Sequence, residues 1–190
     1  MKITKISLII GLVFLTFGVS LILYIFSSQA VSASDIIQPP AYQLTPMQSN
    51  TSEISGMPNE LLIPSLKFDL TVIPGYYNAK SQTWNVTLNE AQYATITPEP
   101  NDLGGDTFFY GHYRPEVFAY LHTIKSGAQA IVKTTNGHTF FYQLSSIKTT
   151  TPYDDSVFTY KGPPILTIQT CTGLFFQDRQ FYTFNLMKVV

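Results

Sequence analysis

An uncharged run of 19 residues, Leu8–Phe26, divides this chain of 190 residues into parts that cannot share one environment. As a helix it would span roughly 28 Å, about the hydrocarbon thickness of a bilayer. Lys2 and Lys5 precede the run, and every acidic residue follows it. Two lysines on the short side predict an amino terminus held in the cytoplasm and a remainder that is exported. Val31-Ser32-Ala33 resembles a small-residue cleavage site, but the apolar run exceeds most signal-peptide cores and so favours an uncleaved anchor. Beyond it, Ser27 to Pro58 is rich in Ser, Pro, Gln, Asn and Thr. Such a stretch has too little apolar area to order itself. The expected organisation is a cytoplasmic stub and transmembrane anchor at 1–26, a flexible extracytoplasmic tether at 27–58, and a folded domain at 59–190.

Within that domain the pattern is β. Short apolar runs at Leu61–Ile63, Phe68–Ile73, Thr107–Tyr110, Ala130–Thr134, Thr139–Leu144, Ile165–Cys171 and Phe181–Val189 are bounded by turn residues. Asn136-Gly137 joins two of them and suits the positive φ angles of a tight hairpin. Short helical pieces are expected only around Leu88–Tyr93 and Val117–Thr123. Many short strands without a β-α-β rhythm predict a closed or nearly closed β-barrel. With a formal net charge of −1, the chain has no basic field for a polyphosphate backbone, so nucleic acid is not an expected partner.

The reactive inventory is small: one cysteine, three histidines, and two arginines at Arg114 and Arg179. Cys171 ends a predicted strand, in phase with Gln169 and Thr167, while Leu166 and Ile168 face the other way. That phase puts the thiol on the more polar side. An unpaired thiol outside the cell is an oxidation liability unless it has a task. Arg179 lies in phase with Phe181, Thr183 and Asn185, off the apolar face formed by Tyr182, Phe184 and Leu186. His112 follows Phe108–Gly111, where a strand gives way to a loop, a common mount for catalytic groups. His138 reads as a polar residue at a hairpin tip, and His122 as part of a short helix.

Thr167-Ile168-Gln169-Thr170-Cys171 resembles the TLxTC signature of the sortases, and Arg179 falls eight positions later, as the family's arginine does. Gly111-His112 followed by Phe118, Leu121, Ile124 and Gly127 resembles the family's histidine stretch. Leu62-Ile63-Pro64 and Gly104-Gly105-Asp106 fit as well, in the right order. Ile168 stands where the signature has Leu, Tyr113 where many members have Arg, and Ala128 where many have Asp. These departures leave the subclass open.

The resemblance implies an all-β, closed eight-stranded sortase barrel with short helices. It also implies a cysteine transpeptidase with His112, Cys171 and Arg179 as catalytic residues and Thr170 as a substrate contact. The expected substrates are surface proteins bearing a carboxyl-terminal LPxTG-like sorting signal. The expected acceptor is an amine, such as a peptidoglycan precursor or a pilin lysine. No cofactor is required, although Asp154-Asp155 offers a weak calcium site. A loop around Thr151–Phe158 would shape specificity. The alternative is a membrane-tethered β-barrel binding module whose cysteine is an inert core residue.

Overall fold

The computed structural model describes residues 53–190 except Gln82. Among the described residues no helix is long and apolar enough to cross a membrane. The expected anchor and the tether as far as Ser52 lie outside them. Ahead of the first strand, Ile54 N–H donates to Asp102 Oδ1 at 3.0 Å and Gly56 N–H to Pro100 O at 3.2 Å.

Ten strands follow in chain order: β1 (Pro58–Ile63), β2 (Phe68–Gly75), β3 (Tyr77–Asn78), β4 (Thr83–Trp84), β5 (Ala91–Ala94), β6 (Asp106–Tyr110), β7 (Gln129–Thr134), β8 (Thr139–Thr150), β9 (Ile165–Thr172) and β10 (Asp178–Val189). Eight of them close a barrel in the order β1-β2-β5-β6-β9-β10-β8-β7, and β3 and β4 form a separate hairpin. The β7–β1 pairing seals the ring, so no edge remains open for another chain to extend. Leu61, Phe109, Phe140, Leu166, Ile168 and Phe184 are fully buried inside it. Each is the inward member of an alternating strand, which is how a small barrel fills its own interior.

The hairpin at Asn136-Gly137 forms as expected: Gly137 N–H donates to Thr134 O at 3.1 Å, with Gly137 at φ 91°. His138 lies at this tip and is tied to Thr134 through its backbone. Of the two expected helical pieces, Ala119–Thr123 is a 3-10 turn. The other is corrected. Leu88 is exposed, and four consecutive residues, Ala91–Ala94, are all buried. Continuous burial fits a strand covered on both faces, and β5 runs parallel to β2 and antiparallel to β6. The long β8–β9 connection carries one helical turn, α1 (Ser156–Thr159).

Candidate active site

Three adjacent strands, β6, β9 and β10, build the site on the barrel's outer face. β6 and β9 run parallel with Tyr110 opposite Gln169, whereas β9 and β10 run antiparallel with Cys171 opposite Arg179. His112 lies two residues past the last paired residue of β6, at the same end of the sheet as the Cys171–Arg179 pair, so the three form a row of candidates across neighbouring strands. Cys171 is a free, half-buried thiol, and His112 and Arg179 are also half-buried. The outward phase of the thiol follows from the alternation read in the sequence, since Leu166 and Ile168 fill the interior.

Local contacts hold the histidine end of the row. Gly111 N–H donates to Gln169 O at 3.2 Å, which keeps the chain beside β9 after pairing formally ends. A Cβ at Gly111 would sit 2.8 Å from Val117 and 2.9 Å from the Phe118 ring, so only glycine lets those buried residues pack beneath the histidine. His112 O accepts N–H bonds from Arg114 at 3.0 Å and Phe118 at 3.2 Å. Thr170 is buried, and its hydroxyl donates to Gly111 O at 3.2 Å. The residue expected to meet substrate thus fastens the cysteine strand to the histidine strand. Among the described residues, no hydrogen bond joins the thiol and the imidazole.

Arg179 is oriented by backbone: its Nη1 donates to Phe176 O at 3.2 Å and to Asp178 O at 3.0 Å. A guanidinium has five N–H donors in a planar fork, so the Nε and Nη2 donors remain available. His122 lies outside the row, 6.2 Å ring to ring from Tyr113, with Nδ1 3.3 Å from the tyrosine hydroxyl. Arg114 pairs with Glu116 on the surface.

Below the row, the same outer face is covered by aromatics that sequence reasoning left unassigned. Phe108 meets Phe158 of α1 and Phe181 edge-on, and Trp84 stacks on Phe158 at 5.9 Å and meets Tyr110 at 5.1 Å. Their signal was the outward phase of Phe108 and Tyr110, two large apolar side chains on a face that would otherwise be wet. Beside this layer lies a cleft of about 320 Å³ lined by Tyr77, Trp84, Ile96, Pro152, Tyr153 and Phe158, with Asp154 and Asp155 at its margin. A separate groove of about 580 Å³ borders Ile165 and Asn185, at the opposite end of β9 and β10 from Cys171.

Two carboxylates near this face differ sharply. Asp106 is buried at the far end of β6, and burial pushes its carboxyl up from 3.8 to about 7. Its one side-chain partner is Thr167 Oγ1, which donates to Oδ2 at 2.8 Å, while Oδ1 has none among the described residues. Asp154, the first of the pair weighed for calcium, is held well below the usual carboxylate range by Lys148, then Ser156 and Thr150. The Lys148 ammonium donates to it at 2.8 Å. Among the described residues, no group of three or more His, Cys, Asp and Glu side chains stands close enough to hold a metal.

Known proteins share this architecture. Sortase C1 from Streptococcus suis superposes with a TM-score of 0.57 at 19% identity, over 72% of this chain and 75% of its own. Sortase E1 from Streptomyces coelicolor, solved with a tripeptide in its active site, matches with a TM-score of 0.57 at 20% identity, over 71% of this chain and 90% of its own. Sortase A from Corynebacterium diphtheriae gives 0.59 at 17% identity, over 71% of this chain and 62% of its own. At such identities the likeness concerns the fold. A search of curated protein sequences found no match. The sortase-domain family model matches residues 61–187, from the first barrel strand through Arg179 and most of β10. A chain whose barrel carries that match over most of its length belongs to the sortase family of cysteine transpeptidases.

Proposed function

We propose that this protein cleaves an LPxTG-like sorting signal through a thioester on Cys171 and passes the acyl group to an amine. The observation that supports the reading is the pairing of Cys171 with Arg179, together with the parallel β6–β9 register that brings the end of β6, just before His112, to the same end of the sheet. In this scheme the Cys171 thiolate attacks the carbonyl carbon of the signal's threonine, and the carbonyl π electrons move onto oxygen. Arg179 cannot act as a base at ordinary pH, so its free N–H donors serve the developing oxyanion. The intermediate collapses as the C–N bond breaks, and His112 gives its proton to the leaving amine. A thioester remains. An acceptor amine then adds to it, His112 takes the amine's proton, and the thiolate leaves. One amide is exchanged for another, so the sequence needs no external energy source and no cofactor.

The aromatic cleft, which Phe158 of α1 helps to line, suits the apolar part of the signal. Thr170 supports the reaction by keeping the two catalytic strands in register. The acceptor belongs to the cell wall or to another surface protein. The amino-terminal run would hold the enzyme at the outer face of the membrane.

The test is turnover of a library of LPxTG-like peptides with and without an added amine. Well-oriented groups act at very high effective concentration, so a transpeptidase should hydrolyse slowly and turn over faster when a suitable amine yields a transferred product. Cys171→Ala and His112→Ala should each abolish both reactions with the melting transition nearly intact. Cleavage by Cys171→Ala at the parental rate would remove the thiol from the mechanism and favour a binding module.

A further inference from the structure

The loop between Cys171 and Arg179 carries three consecutive apolar residues, yet they are not equivalent. Leu174 and Phe175 are 92% and 88% exposed, whereas Phe176 is 53% exposed and sets its ring 5.6 Å from that of Tyr113. Phe176 also adopts φ 56°, in the left-handed region that bulky L-residues rarely enter. Its N–H donates to Gly173 O at 3.2 Å, closing the turn, and Gly173 itself has φ 89°. Gln177 braces the same turn by accepting the Phe175 N–H at 3.0 Å. The consequence is directional: the Phe176 carbonyl faces Arg179 and accepts its Nη1 at 3.2 Å. Tyr113, the other half of the ring contact, follows His112 directly and has its hydroxyl 3.3 Å from His122 Nδ1.

We propose that Phe176 is a positioning residue for Arg179. Its ring contact with Tyr113 holds the left-handed turn whose carbonyl aims the guanidinium toward the Cys171 row. This rests on the reading of Arg179 as the oxyanion donor. Anchoring Nη1 leaves Nε and Nη2 with a fixed direction, and a donor fixed beforehand costs no reorganisation when charge develops. The benefit is confined to the transition state, so it belongs in kcat and not in KM.

The experiment uses the full chain in detergent and a sorting-signal peptide that the parent cleaves, with single-turnover acylation followed by mass spectrometry so that slow variants remain measurable. Phe176→Ala and Phe176→Gly should both lower kcat about tenfold with KM within about twofold, since neither has a ring to meet Tyr113. Phe176→Tyr keeps the ring and should recover most of the rate. Tyr113→Leu removes the ring from the other side and should reproduce the loss. Leu174→Ala, on the same loop without a partner, should leave kcat unchanged. The deciding comparison is the double variant with Arg179→Ala, in which removing the Phe176 ring should cost nothing further. Losses that multiply in the double variant, or a parental kcat in Phe176→Gly, would overturn the inference while leaving the role of Arg179 intact. Parental acylation by Arg179→Ala alone would overturn the oxyanion reading and the inference with it.

Discussion

At the scale of single residues, two side chains on one sheet face make opposite demands on their surroundings. Arg179 needs direction as well as charge. Lysine offers a point charge without the planar fork, so Arg179→Lys should lose about 10²-fold in turnover, the scale of a lost oxyanion donor. Its melting temperature should barely move, because the side chain lies off the apolar interior. Near-parental turnover would return Arg179 to an ordinary surface role. Asp106 needs a proton. Burial raises its carboxyl to about 7 from an ordinary 3.8, against the opposing hydrogen bond from Thr167. The folded state therefore binds this proton more tightly than the unfolded chain does. The stability that this contributes is complete below about pH 4 and is withdrawn as pH rises toward 7, by up to about 1.4 kcal/mol per pH unit. Thermal melts of Asp106→Asn should accordingly lack much of the parent's fall between pH 4 and pH 7. Parallel curves for the two proteins would show that Asp106 ionises freely. Neither its burial nor its partner could be read from the sequence, because both depend on which strand becomes the neighbour of β6.

At the scale of elements, strand alternation was the most legible feature. It placed Cys171 on the outer face and Leu166 and Ile168 inside, as the structure has them. It gave no warning at Leu88–Tyr93, where a short helical piece was expected and the continuously buried Ala91–Ala94 form a strand. Periodicity alone cannot separate a short helix from a strand buried on both faces. Helix α1 and the β3–β4 hairpin were missed for a different reason: each is held by aromatic contacts with distant residues. Trp84 stacks on Phe158, and Phe158 meets Phe108 edge-on. Those contacts give α1 its function in the proposed enzyme, as a wall of the substrate cleft and not a carrier of catalytic groups. Phe158→Ala should therefore raise KM for peptide several-fold with kcat changed much less, the signature of lost uniform binding. Steady-state kinetics over a range of peptide concentrations would check this. A fall confined to kcat would place α1 in the catalytic step instead.

At the scale of the whole molecule, the closed ring of eight strands explains how so small a set of reactive groups is held in place. Cys171 is held opposite Arg179 by the pairing of β9 with β10, and β9 pairs on its other side with β6, the strand that leads into His112. The amino-terminal run adds a topological expectation. Intact cells should expose the barrel to added protease while the amino terminus stays protected. Protection of the barrel, in cells whose known surface proteins are cut, would contradict export. Formation of a covalent acyl-enzyme on Cys171 is tested by intact-mass and peptide-level mass spectrometry of the protein after brief mixing with a reactive sorting-signal peptide. The expected result is one added acyl group, equal to the peptide up to and including its threonine, located on Cys171 and discharged by an added amine. Cleaved peptide with no adduct on Cys171 at any mixing time, or with the adduct on another residue, would contradict it.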